Sequence, residues 1–174
     1  MLGTEIFNPE LWNNFFVLVG TGSAALTGLV FVAISVNLSG VAKDATHTYR
    51  AINMLSGFTA VFLISALALM GHQTHRTLGV EWLIVSAVAA TINTNGYVQG
   101  FNLPGSRYAL SIIRIVGGSA CYLGQIIGAL MFYLGSRMGI YISAVALIIN
   151  FYVLVSGSWL LIVGTLRSSH ETPA

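Results

Sequence analysis

Five long apolar runs, separated by short polar linkers, constrain this chain more than any other feature of its sequence. The runs occupy residues 11–38, 50–70, 80–98, 107–134 and 139–166. A helix needs about 20 residues to cross the hydrocarbon core of a bilayer, and each run has roughly that length or more. A membrane β-barrel would instead show alternating segments of about ten residues, which this sequence lacks. The sequence therefore predicts an all-α integral membrane bundle of about five transmembrane helices.

The composition of the chain agrees with a membrane location. Hydrophobic residues make up 56% of the 174 residues and charged residues only 7%, whereas about a quarter of the residues of a soluble domain are charged. The linkers are too short to hold a soluble domain, so we expect residues 1–174 to form a single transmembrane domain. The net charge of +2 and the absence of basic runs exclude the electrostatic footprint of a nucleic-acid-binding protein.

The positively charged residues predict the orientation of the helices, because cytoplasmic loops carry the excess of Lys and Arg. The richer side is expected to be the cytoplasm, which places the N-terminus outside and the C-terminus inside. Trp12, Trp82 and Tyr141 then fall near the outer interface, where aromatic side chains form belts. The richer side collects Lys43, Arg50, Arg107, Arg114 and Arg167, and the other side has Arg76 and Arg137.

Stripes of small residues recur in three of the predicted helices. Small residues let helix backbones approach closely, which is how helices associate in lipid. The stripes are explained either by packing within the five-helix bundle or by an interface between copies of the chain in a homo-oligomer. They consist of Gly20, Ala24 and Gly28 in the first helix, of Gly117, Cys121, Gly124, Gly128 and Gly135 in the fourth, and of Ser143, Asn150, Gly157 and Gly164 in the fifth.

Arg114 is the embedded residue that most resembles a functional group. It lies seven residues beyond Arg107 and three before Gly117, so it is about 10 Å inside the predicted helix. An arginine at the centre of a span costs about 2.5–3.5 kcal/mol on insertion scales. No acidic residue occurs in the five apolar cores, which leaves hydroxyl groups such as that of Ser158, backbone carbonyls, lipid phosphates, soluble anions or a partner protein as its counterpart. Alternatively, its side chain reaches back to the cytoplasmic interface.

Gln125 and Asn150 are predicted to lie at similar depth in neighbouring antiparallel helices. A hydrogen bond between their amides is one interpretation, and a polar constriction in a pore or solute site is the other. In the first helix, Thr21, Ser23, Thr27, Ser35 and Asn37 form a polar stripe. Its hydroxyl groups are expected to bond their own helix backbone, with Thr27 as a further candidate for a pore-lining residue.

Enzyme chemistry and metal binding have no support in the sequence. It contains no nucleophile elbow, zinc-protease helix, phosphate-binding loop or pair of intramembrane carboxylates. The histidines fall in loops or in the tail, where His72 and His75 have no further ligands to complete a four-ligand site. We therefore expect a non-enzymatic protein with no cofactor and no bound metal.

Parts of the chain resemble a group of small multi-pass bacterial membrane proteins. The resemblance is carried by the run GSAALTGLVFVAISVNL at 22–38, by LGVE at 78–81, and by GIY at 139–141 followed by a long helix with Asn150 and Trp159. It implies the bacterial inner membrane and the five-helix layout. Some members are labelled as modulators of a membrane-bound ATP-dependent protease, and the resemblance supplies no catalytic residues.

Two main functions remain open from the sequence. The first is an oligomeric channel or pathway for small solutes or anions, lined by residues such as Arg114, Gln125 and Asn150. The second is an accessory or regulatory subunit of another membrane complex, which the small-residue stripes would dock. A structural protein that binds membrane lipid, with Arg114 on a headgroup, is a third.

Overall fold

Five long helices account for the regular structure of the part of the chain described here. The computed structural model describes the backbone of residues 9–36, 38, 41, 45–101 and 108–170, and the side chains of residues 10–36, 38, 41, 48–96, 98–99 and 117–159. The helices are α1 (Pro9–Val36), α2 (Ala45–Ala68), α3 (His75–Phe101), α4 (Tyr108–Tyr133) and α5 (Met138–His170). The all-helical fold with five helices is therefore as the sequence predicts.

The helices α2 to α5 form a ring, and α1 lies outside it. Each helix of the ring packs against the next, and α5 closes the ring by packing against α2. The diagonal pairs, α2 with α4 and α3 with α5, are farther apart. The fifth helix, α1, packs against α2 and touches α5. Because α1 is peripheral, the interior of the molecule is defined by the inward faces of α2, α3, α4 and α5.

Short turns join the helices at one end of the ring. The helix α4 ends at Tyr133, and the chain turns at Gly135, which has a φ of 87°, a conformation that glycine adopts without steric cost. The amide of Gly135 donates to the carbonyl of Phe132, and that of Ser136 donates to Met131, which is the Schellman pattern of a helix C-terminus. At the start of α3, the Thr74 hydroxyl accepts a bond from the amide of Thr77 and so caps the helix.

The distribution of apolar side chains is that of a membrane protein. Four helices are long and apolar enough to cross a membrane, namely α1, α2, α3 and α5. The side chains of α4 are described only from residue 117 onward. Large apolar residues cover the outer surface, among them Ile84 (60% exposed) and Trp159 (68% exposed). An apolar surface of this extent is typical of helices that face lipid and unusual for a protein that faces water.

The helix α3 runs from His75 to Phe101, a few residues longer at each end than the apolar run that predicts it, and Asn93 and Gly96 are buried within it. One expectation from the sequence is wrong in detail. Trp82 was expected at the membrane interface, but it is fully buried. Its indole nitrogen donates to the carbonyl of Ile64 on α2 at 3.0 Å, so the polar group of Trp82 needs no contact with water.

Candidate functional site

The interior of the bundle holds several buried polar side chains. Among the described side chains, the buried polar ones are all uncharged. Most of them lie on α2 to α5. In a membrane, buried polar groups must find partners inside the protein, so their contacts show what the interior is built to hold. The set comprises Ser23, Asn53, Ser65, Ser86, Asn93, Gln125, Ser143 and Asn150.

The first group of polar residues connects three helices. The side-chain amide of Asn93 on α3 donates to the hydroxyl of Tyr122 on α4 at 2.9 Å and to the carbonyl of Ala89 at 2.9 Å. Asn53 on α2 donates to the backbone carbonyl of Asn93 at 3.5 Å. The other amide atom of Asn53, Oδ1, is buried without a hydrogen-bond partner. We call Asn53, Asn93 and Tyr122 the amide cluster.

Two glycines make room for the amide cluster. A Cβ on Gly96 would overlap the amide of Asn53, and a Cβ on Gly57 would lie 3.2 Å from the Tyr122 hydroxyl. Tyr122 and Gly57 belong to α4 and α2, which are diagonal partners across the ring. The phenol of Tyr122 therefore lies in the centre of the ring and not between two neighbouring helices.

A second group of polar residues lies nearer than the amide cluster to the end of the ring with the short turns. Its side chains have donors and acceptors that make no hydrogen bond. Gln125 on α4 is 3% exposed, and Ser86 on α3 and Ser143 on α5 are fully buried. Both amide atoms of Gln125 and the hydroxyl oxygens of the two serines are buried without a hydrogen-bond partner. We call Ser86, Gln125 and Ser143 the open polar layer.

Large aromatic side chains close the ring beyond the open polar layer, towards the end with the short turns. Trp82 on α3 stacks on Phe132 of α4 with ring centroids 5.5 Å apart. Phe16 of α1 also contacts Trp82, with ring centroids 5.7 Å apart. Trp82, Phe132 and Phe16 are all at most 1% exposed, so these three residues, the aromatic plug, fill this end of the interior.

Comparisons of the chain with protein-family models, with curated proteins and with solved structures found no match. The site is therefore interpreted from its own geometry.

The structure does not form the hydrogen bond expected between Gln125 and Asn150. Both residues are buried, but the amide of Gln125 has no partner. Contacts between α4 and α5 explain why, since Gly124 faces Ala146 and Gly128 faces Ser143. This register puts Asn150 about four residues, or roughly 6 Å, farther along the axis than the position opposite Gln125.

Of the remaining pore candidates, Thr27 and Ser158 hydrogen-bond to backbone carbonyls of their own helices, and Arg114 has a side chain outside the described residues. The hydroxyl of Thr27 donates to the carbonyl of Ser23, and that of Ser158 donates to Leu154, as expected for hydroxyl groups that bond their own helix. Ser23 and Ser35 do the same. Arg114 belongs to α4, but its side chain lies outside the described residues.

The small-residue stripes divide between contacts inside the bundle and positions on its surface. Gly20 faces Ser65, Gly124 faces Ala146, Gly128 faces Ser143 and Gly157 faces Met54, and Cys121 is buried. Ala24, Gly28 and Gly117 are exposed, and no atom lies within 4 Å of a Cβ built on either of the two glycines. Gly164 is in α5 but outside the described side chains.

Sequence reasoning missed most of the residues that form the two polar groups. Asn53, Ser86, Asn93 and Tyr122 were not singled out as candidate site residues. A usable signal was present on α3, where Leu78, Trp82, Ser86, Ala89, Asn93 and Gly96 follow one another at intervals of three or four and are all buried. That spacing marks one face of a helix. Among the described residues, no group of three or more His, Cys, Asp or Glu side chains could hold a metal ion.

Proposed function

We propose that this chain is a non-enzymatic, multi-pass membrane protein whose helical ring provides a pathway for small, neutral polar solutes. The observation that carries the proposal is the open polar layer, where four buried polar atoms of Gln125, Ser86 and Ser143 have no partner within the protein. An unsatisfied buried polar group costs about 1–3 kcal/mol. A passing solute that hydrogen-bonds to these groups offsets that cost.

Charge favours neutral solutes over ions. The buried polar residues with described side chains are amides and hydroxyls, which both donate and accept hydrogen bonds. A pathway for anions would require a cation such as Arg114 beside the route. The proposal therefore takes neutral solutes as the substrate class and treats anion passage through Arg114 as the competing version.

The described conformation is a closed state of the proposed pathway. The aromatic plug fills one side of the open polar layer, and Tyr122 with Leu154 fills the other, since both approach Gly57 in the centre of the ring. Passage of a solute therefore requires these side chains to move. In the proposed orientation, with the N-terminus outside, the plug lies on the outer side.

Osmotic swelling of vesicles that contain the purified protein tests the proposal. We expect glycerol to enter protein-containing vesicles faster than protein-free ones. Replacement of Gln125 by Leu should abolish most of the increase, because it removes the only long polar side chain of the open polar layer. The matched control is Gln99→Leu, which removes an exposed amide from α3 and should leave swelling unchanged.

The competing versions give different results in the same vesicles. If chloride enters the vesicles, depends on Arg114 and is not accompanied by glycerol entry, the protein is an anion pathway and not a pathway for neutral solutes. No flux of either kind would favour the accessory subunit, for which the exposed Ala24 and Gly28 on the peripheral helix α1 offer a surface of close approach to a partner helix. An accessory subunit conducts nothing on its own.

A further inference from the structure

The buried serines of the bundle fall into two kinds, and those of the open polar layer lack the usual hydrogen bond to their own helix. Among the side chains that the structure describes, four serines are fully buried, namely Ser23, Ser65, Ser86 and Ser143. Ser23 and Ser65 donate to backbone carbonyls three and four residues earlier in their own helices, which is the usual solution for a hydroxyl inside a helix. Ser86 and Ser143 make no such bond. Burial alone does not explain this difference, because all four serines are equally buried.

The register of the helices brings the two unusual serines to one depth. Gly79 of α3 lies against Tyr133 of α4, and Asn93 bonds Tyr122. Ser86 is midway between residues 79 and 93, so it lies opposite residues 127–128 of α4. Ser143 contacts α4 at the same depth, at Gly128. A Cβ added to Gly128 would lie 2.5 Å from the hydroxyl oxygen of Ser143.

Gln125 completes the layer from the helix between the two serines. It lies three residues before Gly128 and so less than one turn away on the same side of α4. Its amide has two donors and an acceptor with two lone pairs, and both of its polar atoms are buried and unpartnered. Three helices thus carry buried, unused donors and acceptors at nearly the same depth of the bundle, within about one helical turn.

We propose that Ser86, Gln125 and Ser143 form a binding site for a small neutral molecule that both donates and accepts hydrogen bonds, such as water or a polyol. Buried waters make about three hydrogen bonds to polar groups that otherwise have none, and this layer supplies such groups from α3, α4 and α5. The absence of charge among the three residues disfavours an ion. This inference rests on the proposed function only in placing the site on a pathway. The binding site itself does not require that a solute crosses the membrane.

Cysteine reactivity tests whether the layer admits polar molecules. The only native cysteine, Cys121, is first replaced by Ala. Single cysteines are then placed by Ser86→Cys, Ser143→Cys and, as a control, Ala129→Cys. Ala129 is equally buried but belongs to the apolar core. Folded protein is exposed to methyl methanethiosulfonate, which is small, neutral and reacts with the hydrated thiolate.

We expect the cysteines at 86 and 143 to react at least about tenfold faster than the cysteine at 129, because only they lie beside a polar molecule that stabilises the thiolate. Gln125→Leu in the same background should slow both reactions. Slowing by excess glycerol identifies a polyol as the occupant, and insensitivity to glycerol identifies water. Equal, slow reactions at all three positions would overturn the site.

The result is separable from that of the swelling experiment. Fast reaction at 86 and 143 without glycerol entry would leave the binding site standing and remove the pathway. Glycerol entry with unreactive cysteines would keep the pathway and remove this binding site from it.

Discussion

The amide cluster shows how a single polar residue fixes the arrangement of helices in an apolar interior. Asn93 donates to Tyr122 on the next helix and accepts, through its backbone carbonyl, a bond from Asn53 on the preceding one. Apolar side chains pack with little directional preference, whereas these bonds are satisfied in only one register of α2, α3 and α4. Asn93 therefore contributes to specificity as well as to stability.

A double-mutant cycle on Asn93 and Tyr122 measures this interaction. The variants are Asn93→Ala, Tyr122→Phe and the pair, and the measurement is the free energy of unfolding in mixed detergent micelles. We expect a coupling energy of about 0.6–1.7 kcal/mol, the range found for hydrogen bonds between membrane helices.

The control cycle pairs Tyr122→Phe with Thr91→Val. Thr91 is exposed and bonds the carbonyl of Ala87 in its own helix, so its coupling to Tyr122 should be near zero. A coupling energy near zero for Asn93 as well would contradict the structural role given to the amide cluster.

Local hydrogen bonds could be predicted from the sequence, but contacts between helices could not. The back-bonding of Ser23, Thr27 and Ser35 needs only a helix and a hydroxyl, and it is observed. The pairing of Gln125 with Asn150 needed the register of α4 against α5, which depends on how Gly124 and Gly128 meet the facing helix. Residue spacing within one helix does not contain that information.

At the scale of the helix, the pair α4 and α5 is held by backbone contact. A Cβ on Gly139 would lie 2.6 Å from the carbonyl oxygen of Gly128 and 2.7 Å from the Cα of Phe132. These are backbone atoms, which cannot move aside as a flexible side chain can. The short turn at Gly135 further fixes the two helices, so the contact has little freedom to open.

Gly139→Ala should therefore separate α4 from α5 and destabilise the protein by about 1–3 kcal/mol, the usual cost of overpacking a core. Thermal unfolding in detergent measures the change. The matched control is Gly117→Ala on α4, where a Cβ meets no described atom of a neighbouring helix within 4 Å, and it should not lower the unfolding temperature, because Ala favours a helix more than Gly does. Equal effects of both substitutions would argue against backbone contact as the cause.

The glycine stripes illustrate the limit of sequence reasoning for whole helices. All of their members have the spacing of a packing face, yet Gly20 and Gly128 contact neighbouring helices while Gly28 and Gly117 do not. For Gly28 the difference arises because α1 lies outside the ring and presents only part of its circumference to α2 and α5. Gly117 belongs to the ring helix α4 but is on its exposed side. Whether the exposed members form contacts between copies of the chain stays a prediction.

At the scale of the whole molecule, the protein has an apolar outside and a partly polar inside. The four fully buried serines contrast with exposed residues such as Ile84, Tyr152 and Trp159. Helices in lipid gain nothing from hydrophobic exclusion and associate through polar contacts and close packing, and this bundle has both. The same polar interior supports the proposed pathway, and the aromatic plug is then what limits passage in the closed state.

Trp82→Leu tests this role of the plug. Leu is smaller and cannot stack on Phe132, so the substitution should open space beside the open polar layer and increase the rate of glycerol entry into vesicles. Trp159→Leu is the matched control, because Trp159 is 68% exposed on the outer face and should not affect entry. The helical content of both variants is compared by circular dichroism, so that a misfolded variant is recognised. If Trp82→Leu keeps its helical content and entry does not rise, the plug does not limit passage, and the barrier lies instead with Tyr122 and Leu154 on the other side of the layer.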